Sequence, residues 1–391
     1  MQNTHTAEAV DLMMRFADRT GLTSRRTPRR YLWTDAFAVC NFIGLARATG
    51  DAGYGDLALR LVDQVHHVLG RHRPDDRGRT GWISGLPEGE ADAHPTRGGL
   101  RIGKPLPERN ATEPPDPNLE WDRDGQYFHY LTKWMHALDQ VSRWTGQPKF
   151  NLWARELADA AHRAFTYGPP EGRRMMWKLS IDLSRPLVRS MGQHDPLDGF
   201  VTCTQLEATA AALAAAPAPG PNLAAAAAEL GAMLDPDALS TNDPLGIGGL
   251  LVDASRLAQL GAGRELIASL LEGAAIGLAQ YWTQPDLRAP PDRRLAFREL
   301  GLAIGIGCIP LLEREPLVRA LDASGLARVA ALAECLPLRA QIDSFWLSPD
   351  HRRAASWIEH EDINDVMLAT SLAPDGFLAL APPARASTVG G

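Results

Sequence analysis

The sequence predicts an all-α chain: six helical hairpins closing into a ring, an (α/α)6 barrel. Three observations carry this. Segments apolar all round alternate with segments apolar on one side only, as the inner and outer helices of hairpins do. The inner segments tend to begin at an aspartate, twice followed by proline (Asp195-Pro196 and Asp243-Pro244), which places a capping carboxylate before a proline at the first helical position. Those two starts lie 48 residues apart, a suitable length for one hairpin.

Residues 6–20 form a first helix with a loose apolar stripe, followed by a basic turn. Residues 31–50 are apolar on every side and read as a buried inner helix that Gly50 ends. Residues 51–69 carry Leu57, Leu61, Val65 and Val68 on one face and form its outer partner. The pattern repeats with inner helices at 124–145, 195–215, from 243, 295–312 and 362–371. Their outer partners are 152–165, the alanine-rich run to Leu234, 264–282 and 317–332. The sixth inner helix has no outer partner after it, because the tail is rich in Pro, Ala and Gly, and the N-terminal helix is expected to supply one. Two inserts interrupt the hairpins, at 71–119 and 168–193. The first is too long and too rich in Gly and Pro to be a simple connection. The chain reads as a single domain, 1–391, with a flexible tail from 379.

With 391 residues, 45% apolar and 22% charged, the chain has the composition of a globular protein that buries a large core. A net charge of −7 gives no general attraction to nucleic acid or to an anionic membrane. No basic stretch followed by an apolar run opens the sequence, and the most apolar run, 301–312, is too short to span a bilayer. A cytoplasmic location is expected. Cys40, Cys203, Cys308 and Cys335 are dispersed in apolar helical contexts and read as buried free thiols; no ligand spacing suggests a metal. His66, His67 and His72, on or after an outer helix, read as surface residues. Trp134, Trp144, Trp153 and Trp282 fit packing positions.

On Trp33-Thr-Asp35 heading a buried helix that ends in Ala-Thr-Gly-Asp51, on the hairpins, and on the acids and aromatics at inner-helix starts, the chain resembles the six-hairpin glycosidase superfamily. The resemblance is architectural, and no catalytic signature of a member family is matched. It implies a pocket at one end of the barrel, built from inner-helix starts and inserted loops. Its members include inverting glycoside hydrolases, unsaturated-uronyl hydrolases and, in a related fold, N-acylglucosamine 2-epimerases.

The densest chemistry lies in residues 120–136, EWDRDGQYFHYLTKWMH. Glycoside hydrolysis needs two carboxyl groups, one protonated and one ionised. Asp124 and Asp35, at the starts of adjacent inner helices, are the first candidates for that pair. Asp122 stands beside Asp124, and Trp33 offers Asp35 an apolar wall of the kind that raises a carboxyl pKa. Plainer readings stand next to these: Asp124 as a helix cap, and Asp35 as a buried acid paired with Arg30. Asp198, in the first turn of the third inner helix, and Glu299, entering an apolar one, are further acid candidates. Compensation of the helix dipole and an internal ion pair are their structural alternatives.

The glycine-rich run 94–105 nearly spells a phosphate loop, but Pro105 stands where Ser or Thr is required and Pro107 forbids the following helix. Nucleotide binding is excluded there. Arg97, Arg101 and Lys104 are read instead as a clamp for an anionic group on the substrate. Tyr127, His129, Trp177, Trp346, Trp357, Arg298 and His360 complete the expected substrate-binding set. His194 and His360, each just before an inner helix, suit a second chemistry, the paired bases of a sugar epimerase or isomerase.

The expectation is therefore a carbohydrate-active enzyme that hydrolyses a glycosidic bond of a small or anionic sugar, with water as co-substrate and no cofactor or metal. An epimerase, a lyase and a barrel that binds sugar without chemistry are its rivals.

Overall fold

The computed structural model describes residues 2–213, 218–283 and 288–382. The expected tail from 379 lies, beyond residue 382, outside the described residues. In chain order the helices are α1 (Gln2–Arg19), α2 (Leu32–Thr49), α3 (Ala52–Leu69), α4 (Glu88–Ala93), α5 (Pro117–Glu120), α6 (Phe128–Thr145), α7 (Pro148–Phe165), α8 (Asp195–Leu213), α9 (Ala224–Ala232) and α10 (Pro244–Leu260). There follow α11 (Arg264–Trp282), α12 (Ala296–Ile306), α13 (Ile309–Leu312), α14 (Pro316–Arg319), α15 (Ala323–Ala333), α16 (Leu336–Leu347), α17 (Ala355–Ile358), α18 (Glu361–Leu372) and α19 (Asp375–Leu378). The six expected inner helices are α2, α6, α8, α10, α12 and α18.

The chain forms two compact units. One holds residues 17–43 and 52–234 and contains α3 to α9. The other holds 1–16, 44–51 and 235–380, and contains α10 to α19 together with most of α1.

In the first unit the inner helices are held by a polar knot as well as by apolar contacts. The carboxylate of Asp139, fully buried on α6, accepts from Arg143 Nε (2.8 Å), Gln205 Nε2 (2.6 Å), Thr209 Oγ1 (3.0 Å) and Asn151 Nδ2 (3.1 Å). One acid thus joins α6, α7 and α8, and a buried charge so fully satisfied fixes which helix faces meet. The turn between α6 and α7 follows its sequence signals. Gly146 takes φ 68°, closing α6 in the left-handed conformation, and Pro148 starts α7.

The insert at 168–193 holds one 3-10 turn (Pro170–Gly172) and is otherwise built of short strands and loop. It contributes β4 (Lys178–Leu179) and β5 (Pro186–Val188), which pair antiparallel and extend β1 (Gln126–Tyr127), the two residues before α6. A second ribbon joins β2 (Thr166–Tyr167) to β3 (Arg174–Met175). The insert at 71–119 is irregular around α4 and α5 but well tied. Arg101 N–H donates to Leu69 C=O (2.9 Å), Ile102 N–H to Gly125 C=O (2.8 Å), and Leu32 N–H to Ile102 C=O (3.0 Å).

In the second unit α10 and α12 pack backbone to backbone. A Cβ on Gly248 would lie 2.1 Å from the Gly301 carbonyl oxygen, so only glycine fits that crossing. Asp243 caps α10 as its Asp-Pro motif predicts, accepting from Gly246 N–H at 3.1 Å.

Four expectations are corrected. The second inner helix begins at Phe128, not at 124, because Asp124 is drawn into the loop and Gly125 turns the chain at φ 148°. His66 is buried, not on the surface: it accepts from Trp134 Nε1 (3.2 Å), and burial lowers its pKa to about 3. Trp282 is exposed, and Cys335 is only half-buried.

Candidate functional site

In the first unit, six aromatic side chains and a histidine form a continuous wall at the starts of α2 and α6, at the end of α5 and on the 168–193 insert. Trp121 meets Trp177 edge to face (5.0 Å between centroids), and Trp177 lies nearly parallel to His129 (6.1 Å, 22°). Tyr127 contacts Trp177 (5.5 Å), His129 (5.4 Å) and Tyr130 (5.2 Å). Tyr130 packs against His129 (4.7 Å) and Trp33 (6.5 Å), and its hydroxyl shares a 2.6 Å hydrogen bond with that of Tyr31. Burial raises the pKa of Tyr31 to about 12 and those of Tyr127 and Tyr130 further, so all three phenols stay neutral donors. The wall is legible once Tyr127 is placed. β1 ends there, α6 begins at the next residue, and positions 129, 130 and 133 of its first turns follow in close succession.

Carboxyl groups adjoin the wall through His129. Its Nδ1 lies 3.9 Å from Asp195 Oδ1 and accepts the Trp177 Nε1–H at 3.3 Å. That donor leaves the imidazole proton on Nε2, and burial, the main cause, lowers the ring's pKa to about 4. His129 is therefore a neutral hydrogen-bond donor. Asp195 opens α8. Its side chain is 7% exposed and takes one hydrogen bond among the described residues, from Gly192 N–H at 3.2 Å. Burial first, and the neighbouring Asp198 second, raise its pKa to about 7. Asp198, one turn on, accepts from Lys133 Nζ at 2.6 Å. The site thus pairs a carboxyl that keeps its proton near neutrality with a second one in a salt bridge.

Of the residues singled out from the sequence, Trp33, Tyr127, His129, Trp177 and Asp198 belong to this constellation, and Lys104 joins its edge with its ammonium 5.4 Å from the Tyr31 ring centre. His194 precedes α8, where its carbonyl accepts from Asp198 N–H at 2.9 Å. The sequence marks Asp195 only as a cap, and nothing in it singles out Tyr31, Tyr130, Lys133 or Trp121. The three-residue spacing of Asp195 and Asp198 in a first turn is the signal that marks the acid pair.

The other candidates are engaged elsewhere. Asp124 is fully buried. Its Oδ2 accepts from Arg101 Nη1 (2.5 Å) and Arg73 Nη1 (3.2 Å), and its Oδ1 from the N–H groups of Gly103 and Gly125 (3.0 Å each). It is neither cap nor acid but the staple of the first insert, and Arg101 is its partner, not an anion clamp. Asp35 is 1% exposed, 3.4 Å from the equally buried Arg30, and accepts from Tyr31 N–H at 2.9 Å. No face of it is open to a substrate. Arg97 donates to Glu156 on α7 at 3.0 Å and borders a separate cavity of about 550 Å³. Asp122 is exposed on the loop.

In the second unit, Glu299 takes both arms of Arg294 (2.8 and 2.6 Å) and the Trp346 indole N–H (2.8 Å), a closed internal pair. Trp357 is 2% exposed and packs on the equally buried Trp346, so neither presents a face to a sugar. Arg298 donates to the capping Asp243 at 2.6 Å, and His360 packs edge to face on Phe297.

No family model matches the sequence, and no curated protein does. Solved structures do. A GH76 alpha-mannanase of Bacteroides thetaiotaomicron superposes over 96% of this chain and 96% of its own, with a TM-score of 0.55 at 10% identity. The fold is an (α/α)6 barrel. A GH76 alpha-1,6-mannanase of Salegentibacter, an inactive variant in complex with alpha-1,6-mannotriose, superposes over 95% of this chain and 99% of its own, with a TM-score of 0.50 at 12% identity. That variant carries asparagine in place of two consecutive aspartates. In the present barrel the only consecutive aspartates are Asp75 and Asp76, which lie in the first insert and bind Arg73 and Arg79. The six-hairpin architecture is shared.

Proposed function

We propose that this barrel is a carbohydrate-active enzyme that hydrolyses a glycosidic bond, with Asp195 as the proton donor. One observation carries the reading: Asp195 is a buried carboxyl, almost without partners, set beside a second acid and against an aromatic wall. An acid of pKa about 7 retains a proton to give at neutral pH and is strong enough to give it. The partly exposed Trp177 offers its face to a sugar ring, and His129 Nε2–H supplies a donor to hydroxyls.

In the reaction the Asp195 proton passes to the glycosidic oxygen as its bond to the anomeric carbon breaks. Water adds to that carbon and releases its proton to Asp198, so one proton is given and one taken. Lys133 holds Asp198 in place for that role. The sugar complex of the mannanase neighbour supports a carbohydrate ligand for this fold. An epimerase is less well supported, because the imidazole of His129, 3.9 Å from Asp195, has its Nδ1 occupied by the Trp177 N–H.

The test is to incubate the protein with alpha-1,6-mannotriose and a panel of oligosaccharides and to follow new reducing ends, with Asp195→Asn alongside. Hydrolysis that the variant loses supports the reading. Full turnover by the variant, or deuterium from solvent appearing on sugar carbon without cleavage, overturns it.

A further inference from the structure

The staple at Asp124 places one cation at the edge of the aromatic wall. Residues 101–106 are strapped on both sides. Asp124 Oδ1 accepts from Gly103 N–H, Arg73 Nη1 donates to the Lys104 carbonyl (2.8 Å), and Leu106 and Asp124 exchange backbone hydrogen bonds with their neighbours across the bridge. The backbone at 104 is therefore fixed, and its side chain reaches over the Tyr31 ring. Tyr31 in turn bonds Tyr130, which packs on His129, which lies beside Asp195. Three side chains separate the ammonium from the acid.

The basic residues around Lys104 are spent. Arg73 and Arg101 bind Asp124, Lys133 binds Asp198, and Lys178 is fully buried on the carbonyls of Glu120 and Arg123. Lys104 is the exception: among the described residues its ammonium enters no ion pair or hydrogen bond, although the side chain is half-buried. The nearest acids that act on it are Asp122, exposed on the loop, and Asp124, already saturated. A partly desolvated ammonium on a fixed backbone attracts an anionic group more strongly than a solvated surface lysine does.

We infer that the site selects a sugar bearing an anionic group, a carboxylate or a phosphate ester, and that Lys104 is the residue that reads it. The inference rests on the carbohydrate reading above and names its substrate class.

Calorimetric binding tests it without requiring turnover. Glucuronic acid, glucose 6-phosphate and glucose are titrated into the wild-type protein, Lys104→Met and Lys104→Arg. At least about tenfold tighter binding of one acidic sugar than of glucose is expected, with that preference lost in Lys104→Met and retained in Lys104→Arg. The acidic probe that is preferred identifies the anionic group. Equal affinity for acidic and neutral sugars, no binding of either acidic sugar, or a preference that survives Lys104→Met overturns the inference. Discrimination without cleavage of any oligosaccharide would overturn the hydrolase reading and leave this one standing.

Discussion

Asp124 and Asp195 are both buried carboxyls in the same unit, both placed just before or at an inner helix, and their surroundings are opposite. Asp124 has two guanidinium groups and two well-placed backbone amides, so every lone-pair direction is occupied. Asp195 has one amide and an acid for a neighbour. Burial alone does not make a carboxyl catalytic. Burial without partners favours the protonated form, which a proton donor needs; burial with partners makes an anchor.

The largest effect that would break this contrast is on stability. Asp124→Ala takes from the buried Arg101 its only carboxylate, and from the partly exposed Arg73 one of two, and should cost roughly 3–5 kcal/mol in denaturant unfolding. A loss below about 1 kcal/mol would mean that Asp124 is not the anchor. Asp195→Asn should behave in the reverse way, lowering turnover by about 10²- to 10⁴-fold while the fold is kept or strengthened at alkaline pH. The sign follows from linkage. The folded-state pKa of Asp195, about 7, lies above the ordinary 3.8, so its contribution is full below 3.8 and is lost as pH rises through 7. The wild type should therefore lose stability between pH 4 and pH 8 by an amount the variant does not, at most about 4 kcal/mol for a shift of this size. Thermal melts at the two pH values measure it. Turnover should likewise fall above about pH 7 on the limb that reports the proton donor. The smallest effect is at Trp177→Phe, which keeps a ring but removes the N–H held by His129 Nδ1. Burial, the main cause of the low His129 pKa, is kept, so an NMR titration should show it still well below 6.5 while the ring loses its fixed tautomer, with KM changed a few-fold.

Much of the fold was legible because inner and outer helices obey different burial patterns, and a buried helix such as α2 needs apolar residues on every side. The 168–193 strands were not legible: two or three residues long, they show no alternation, and β4 exists because Gln126 and Tyr127 offer it an edge. The candidate site was half visible. Asp198, His129, Tyr127 and Trp177 stood out by type and position. Asp195 did not, because Asp195-Pro196 and Asp243-Pro244 are the same motif, yet Asp243 caps its helix at Gly246 while Asp195 turns back to Gly192. Asp124 misled for a related reason. Its partners Arg73 and Arg101 lie 51 and 23 residues upstream, and nothing local announces them.

The same carboxylate has a consequence for how the first insert gains its order. Segments around residues 73, 101–106 and 124 meet at one point, so releasing any one of them loosens the other two. Their amides should exchange with solvent as a single cooperative unit, with Gly103 and Gly125 losing protection together and before the helices of the Asp139 knot.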